Sequence, residues 1–511
     1  MSKTNGAVRL TPADLEKVSV DELMRATRSL RQKSTYFTNW AGSYRCRARA
    51  IFKPNTERQV QQVVELTRRQ QETLRCYGTG HSPSDLACTD GFMLNLDNMQ
   101  EVLDIDQQSN VVTVQGGIKL HRLHPILERN GLAMSVMGSI SDQSIAGAIS
   151  TATHGTGIRF GNISTYVRSM TLVLADASIV TIDREHDAPL FMASLCGLGL
   201  TGVIIRVALQ CEPMFHLRER VVEYDYSEMM GNLEASLDDK DRSTKGSLLE
   251  DNEHVKIHWF PHVDKALVTT MNRTREDRTP PPSTWAAIQA RAIGYHWHQF
   301  GLFVATFLPL LLGYHAMIMW RFAFALPKDD HSKQPVSTRV GTPPEIFNMD
   351  CLFPQYTFEG VVPIENTADV LRELAQWYKE EDVKSGGLTH HFPVEIRFVE
   401  QDDIWLSPTY RMRGAYIGIM QYRPYGFPVP YKKLFASFEQ LLVRHGGRSH
   451  WAKSHRTNKP ALHKMYEHLD DFLEVRERVD PDNIFVNPYT RRHLFADVGE
   501  EVDMRRFKQN V

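Results

Sequence analysis

Apolar positions in residues 50–210 switch repeatedly between a period near 3.6 and a period of 2, which predicts a succession of short helices and strands. Thr56 to Gln59 has the composition of a capping box, and Val60, Val63, Val64 and Thr67 follow at helical spacing. Residues 74–77, 92–96 and 111–114 read as strands, and 119–130 as an amphipathic helix stopped by Gly131. Residues 189–196 read as a helix and 203–210 as a strand. A new strand begins at FHLRERVVEY (215–224), strands follow at 393–399 and 416–424, and 466–479 reads as a helix ended by Asp480-Pro481. Short elements of both kinds predict an α+β chain.

Several breaks in this pattern carry chemistry. In YGTGHS (77–82) a strand ends in a turn where Gly78 and Gly80 permit positive φ and close approach of another group to bare backbone. Its N–H groups can converge on an anion, and His81 then points into whatever the loop holds; a surface turn with an incidental histidine has the same letters. Residues 138–157 are small and hydroxylic, with no Lys or Arg and Asp142 as the one acid. That composition suits a pyrophosphate lying along backbone donors, and Ile140, Ile145, Ala148 and Ile149 argue against a flexible linker. GLGLTG (197–202) matches G-x-G-x-x-G, yet a helix precedes it and a strand follows. The order is the reverse of a Rossmann site, leaving either a glycine turn against a flat ring or an ordinary connection.

In PVEIRFV (393–399) alternation puts Glu395 and Arg397 on the face opposite Val394, Ile396 and Phe398, as a catalytic pair or as a solvated ion pair. Lys453 in HWAK, followed by His455, adds a further cation; Trp451 and Ala452 disfavour a solvated basic turn there.

Composition narrows the class. The 511 residues, 42% of them hydrophobic, allow two or three domains, and a net charge of −2 makes no electrostatic case for nucleic acid. Residues 23–56 carry basic residues without an acid, but Asp14, Glu16, Asp21 and Glu22 precede them, unlike a transit peptide. Six scattered cysteines without a CxxC pair speak against a metal site and a disulfide scaffold. Residues 292–320 lack Asp, Glu, Lys and Arg, and 300–312 (FGLFVATFLPLLL) form an apolar run holding Pro309. A single span needs ~20 predominantly apolar residues, so this segment predicts a helix pair dipping into one leaflet, or a buried cap helix. Polar, proline-bearing connections at 273–284 and 328–344 flank it.

GTGHSPSDLACTDGF, the 138–157 segment, HFPVEIRF, HWAK and DPDNIF, in that order, resemble the aldono-1,4-lactone oxidases, flavoproteins of the vanillyl-alcohol oxidase type. The resemblance implies a two-part FAD-binding domain and a second mixed α/β substrate (cap) domain. Its expected divisions are an N-terminal helical extension (1–36), the FAD domain (37–212), the substrate domain (213–450) with the apolar segment 292–320, and a C-terminal segment (451–511) returning to the flavin. It implies FAD joined covalently to His81, with Tyr77, Gly78, Thr79, Gly80, Ser82, Gly138, Ser139, Ser144, Gly147, Thr153, His154, Gly155, Gly202 and Ile204 as further cofactor contacts. Gly116 falls where relatives control oxygen access, and its bare Cα favours an oxidase.

By the same resemblance Glu395 accepts a hydrogen bond or proton from the lactone 2-hydroxyl. Arg397 holds that hydroxyl and offsets charge at the flavin N1–C2=O edge, and Lys453 positions the lactone or that edge. The implied reaction is oxidation of an arabinono-, gulono- or galactono-1,4-lactone at C2 by O2, giving an ascorbate-type product and hydrogen peroxide. A sugar oxidase or carrier-dependent dehydrogenase of the same architecture, or a flavin-free membrane-bound binding protein, are the alternatives. The implied location is a mitochondrial membrane, or else the endoplasmic reticulum.

Overall fold

Three larger sheets organise a computed structural model of the chain, which describes residues 10–238, 247–326, 334–349, 353–385, 390, 391 and 393–496. Cys351, Phe392 and residues 328–333 of the second connection lie outside this range. In the first sheet Phe92–Asn95 runs parallel between Ala50–Phe52 and Leu74–Tyr77. The helix Glu57–Arg69 joins its outer strands and buries Val60, Val63, Val64 and Leu66. Thr56 caps that helix by accepting from Gln59 N. The reciprocal bond of the expected box is absent, because the Gln59 side chain accepts from Asn55 N.

The second sheet is antiparallel, in the order Ile179–Asp183, Val167–Val173, Val203–Gln210, Val111–Gln115, Val102–Asp106. The helices Leu120–Arg129, Ile145–Ser150 and Ala188–Ser194 contribute Leu123, Leu127, Ile145, Ile149, Leu190 and Phe191 to the core shared by these two sheets. Two other parts of the chain enter the same core. Leu15, Leu23 and Leu30 come from the N-terminal helices, and Trp451, Phe472, Phe485 and Tyr489 from the C-terminal stretch.

The third sheet is antiparallel with eight strands: Val336–Gly341, His216–Asp225, Lys265–Thr274, His254–Phe260, Val394–Val399, Gly414–Tyr422, Gln355–Pro363, Arg448–Ser449. One face packs Ile257, Trp259, Ile396, Phe398, Ile417, Ile419 and Phe358 against the helices Tyr226–Asp238, Thr367–Ser385 and Lys432–Arg444. The other face turns toward the first core. Arg423, just past a strand end, donates from Nη1 to Ala41 O at 2.7 Å and so fastens the two halves.

One expected helix differs at its start, and the apolar segment forms the expected pair of helices. The helix foreseen over 466–479 is Leu469–Val479, since Tyr466 leaves helical geometry at φ −125°, ψ 108° after the helix Lys459–Met465. The apolar segment breaks at Pro309 into His298–Phe307 and Leu311–Met319. Leu302, Ala305 and Leu312 are buried against Phe353 and Tyr422, whereas Phe307, Leu310, Tyr314 and Phe322 are 63%, 70%, 63% and 68% exposed. No helix among the described residues is long and apolar enough to cross a membrane.

Candidate active site

A cavity with an empty volume of about 1750 Å³, part of it open to solvent, runs from the first core to the large sheet. Its near walls are backbone. The strand Leu74–Tyr77 delivers Gly78, Thr79, Gly80, His81 and Ser82 to one side. The 138–154 segment supplies Gly138, Ser139, Ser144, Gly147, Thr153 and His154, and the glycine turn before Val203–Gln210 supplies Gly202 and Ile204. Tyr77 and Gly116 complete this part. A Cβ on Gly78 would stand 2.2 Å from Ser144 Oγ, so the two segments meet only because that side chain is missing. Gly116 is bare for a similar reason, since a Cβ there would come 2.2 Å from Ile204 O. Close approach of the Ile204 carbonyl is thus one reason for glycine at 116. Gly155 does not line the cavity: it lies against Val136 and Met137, with its Cβ direction 2.5 Å from Val136 Cγ2.

These walls suit FAD. They are rich in N–H and hydroxyl donors, and the two carboxylates among the lining residues, Glu359 and Glu395, come from the large sheet. Arg75, a buried guanidinium held by the carbonyls of Leu198 and Phe485, lines the same walls. A buried cation that, among the described residues, donates to carbonyls suits an anionic pyrophosphate. His81 stacks on Trp40 with ring centroids 5.5 Å apart, and its Nε2 lies 3.5 Å from Asp142 Oδ2.

The large sheet closes the cavity with a buried ionic network. Glu395 and Arg397 leave Val394–Val399 on one face, opposite Val394, Ile396 and Phe398, and both are 9% exposed. They are buried, not solvated. Arg397 Nη2 donates to Glu359 Oε1 at 2.5 Å, and its Nε is 3.4 Å from Glu395 Oε2. Glu359 is also approached by Lys453 Nζ at 3.5 Å and His154 Nε2 at 3.3 Å. Glu395 Oε1 lies 3.5 Å from His258 Nε2. His154 stacks on Tyr416 with centroids 3.4 Å apart.

Burial opposes the charge on Glu395, but Arg397, the His258 hydrogen bond and Lys256 outweigh it and hold the carboxyl well below its ordinary range. At Glu359 burial is likewise overcome by Arg397, Lys453 and His154. Burial holds His258 and His450 below the usual imidazole range, so both are neutral. Arg397 touches both carboxylates and Lys453 approaches Glu359, which places cationic groups where a reaction develops negative charge. His154, Glu359 and His450 bring ligand atoms within 4.8 Å of one another, but Arg397 and Lys453 already neutralise Glu359 and would repel a metal ion.

The structure thus gathers Glu395, Arg397 and Lys453 with the expected cofactor contacts, Gly155 apart. Sequence reasoning missed Glu359, His258 and Lys256. Their signal was available: Gln355, Thr357 and Glu359 alternate with Tyr356 and Phe358, and Lys256 and His258 with Val255, Ile257 and Trp259. Polar residues at every second position of otherwise apolar strands mark a second face, turned away from the apolar core.

Residues 207–493 match the D-arabinono-1,4-lactone oxidase family and residues 48–183 an FAD-binding domain. The L-gulonolactone oxidase of Mus musculus is 34% identical over 91% of this chain and 99% of its own length. The L-gulono-1,4-lactone dehydrogenase of Mycobacterium tuberculosis is 32% identical over 90% of this chain and 99% of its own. Among solved structures, the cholesterol oxidase from B. sterolicum superposes with a TM-score of 0.67 at 16% identity, covering 89% of this chain and 96% of its own, a likeness of fold alone.

Proposed function

We propose, from the premise that the chain belongs to the D-arabinono-1,4-lactone oxidase family, that it removes hydride from C2 of an aldono-1,4-lactone and passes the electrons to O2. Oxidation of an aldonolactone with FAD as cofactor follows from that membership. The observation that carries the finer reading is the Glu395–Arg397 pair, buried and turned into a cavity whose other wall is a backbone cradle.

When bound, FAD supplies the hydride acceptor, held by the 78–82 turn and the 138–154 segment. Glu395, kept anionic by its neighbours, is a weak base and accepts a hydrogen bond from the lactone 2-hydroxyl. As hydride leaves C2 that hydroxyl becomes strongly acidic, so even a weak carboxylate takes its proton, at Glu395 Oε1 beside His258. Arg397 and Lys453 add donors that stabilise negative charge as it develops on the reacting groups. The oxidised lactone then enolises to an ascorbate-type product, and O2 becomes hydrogen peroxide.

His81 is our choice for a covalent bond to the flavin, supported by its place in the cavity wall between Trp40 and Asp142. For the acceptor, a dehydrogenase-named relative stands near an oxidase-named one in identity, so transfer to a carrier is the second reading. We place the protein on a membrane surface, mitochondrial by preference and endoplasmic reticulum as the alternative. Supporting this, the broken helix pair 298–319 displays Phe307, Leu310 and Tyr314 outward as a monotopic anchor does.

The test is Glu395→Gln in the holoenzyme. Anaerobic flavin reduction by an aldonolactone should slow on the order of 10²-fold while FAD content stays constant. Reduction at the parent rate would remove Glu395 from the mechanism.

A further inference from the structure

One row of partners crosses the middle of the large sheet. His258 lies opposite Glu395, Glu395 opposite Gly418, and Gly418 opposite Glu359. Directly opposed residues share a face, so two carboxylates stand on either side of a residue without a side chain. Their strands are about 10 Å apart, twice the interstrand spacing; Gly418 contributes bare backbone to the cavity wall between those strands, and the Arg397 guanidinium links the two carboxylates.

Neither close packing nor a left-handed backbone requires glycine at this position. A Cβ on Gly418 would meet Glu359 Cγ at 3.6 Å, Glu359 Cβ at 3.7 Å and Phe358 O at 3.7 Å, all ordinary contacts. Its φ is not among the positive values. At Gly78 and Gly116, by contrast, a Cβ would collide at 2.2 Å. The side chain missing at 418 leaves room in the cavity that a methyl group would take up.

We propose that the lactone ring sits over Gly418, held at opposite edges by Glu395 and Glu359, so that position 418 sets the room available to the substrate. This rests on the aldonolactone reading. Glu359 has acceptor capacity for it, because a carboxylate offers about four lone-pair sites and Arg397, Lys453 and His154 approach from three directions.

The experiment uses holoenzyme, with D-arabinono-1,4-lactone and L-gulono-1,4-lactone as probes and anaerobic flavin reduction against concentration as readout. Gly418→Ala should keep its flavin content and melting temperature while the apparent lactone Kd rises on the order of tenfold, the scale of one methyl forced into a filled site. The thiol of Gly418→Cys should react with a small methanethiosulfonate, and saturating lactone should protect it. An unaltered Kd in Gly418→Ala, or a thiol that lactone leaves unprotected, would overturn the seat while the aldonolactone reading stands. Loss of flavin or fold in Gly418→Ala would show the glycine to be structural and overturn it too. A parent enzyme reduced by neither lactone would overturn both.

Discussion

Replacing Arg397 with Met should reverse the pH dependence of stability, because that guanidinium compensates two buried carboxylates at once. In the parent, Glu359 and Glu395 are held below their unfolded value of 4.5, so the stability they contribute is present above that value and lost as pH falls through the lower folded one. Between about pH 5 and 8 they impose no slope. Without Arg397 the largest remaining influence is burial, which raises a carboxyl. A raised folded pKa gives stability that is present below 4.5 and lost as pH rises through the raised value. Breaking one side of a buried pair costs about 3–5 kcal/mol. The lower end applies here, since Glu359 keeps Lys453 at 3.5 Å and His154 at 3.3 Å, and Glu395 keeps His258 at 3.5 Å. One proton taken up on folding gives a slope of about 1.4 kcal/mol per pH unit, so ~3 kcal/mol accumulates over roughly two units. Differential scanning calorimetry of holoenzyme at fixed scan rate and ionic strength, from pH 5 to 8, reads this as a melting temperature that falls with pH only in Arg397→Met. Parallel curves, offset by a constant, would refute the network.

Two further outcomes test the cofactor and the surface. His81→Ala should release all its FAD on acid precipitation, whereas the parent keeps yellow, fluorescent flavin on the denatured chain; flavin still bound to the variant would point to another attachment residue. Replacing Phe307, Leu310 and Tyr314, each more than 60% exposed, with Ser should weaken flotation with phosphatidylcholine–cardiolipin vesicles on the order of tenfold or more per side chain, since each buried side chain adds about 1.5–3 kcal/mol. Flavin content should not change, and equal flotation of variant and parent would remove the segment as an anchor.

The strand ends were legible because local rules govern them. Residues 203–210 form a short, mostly apolar run with a glycine turn before it, and the strand found is Val203–Gln210. The face shared by Glu395 and Arg397 follows from period 2 alone. Their burial does not, because a sheet face bearing charges reads the same whether water or a second domain covers it. The 466–479 helix was overextended at its start because Tyr466 continues the apolar period, yet its ring is drawn out of the helix to stack on Trp451, with centroids 5.7 Å apart.

Glu359 was hidden for a different reason. Its strand lies 36 positions before Glu395 in sequence, and Gly414–Tyr422, which follows both, inserts between them in space. Such an order puts the two carboxylates across a glycine that neither strand pattern mentions. Alternation assigns each strand a wet face, but only the register across strands says which polar residues share a row. A site built on one row of a sheet is therefore half-written in any single strand. In this chain the part that sequence left open is the pairing of Gly418 with both Glu359 and Glu395, the row over which we propose the lactone sits.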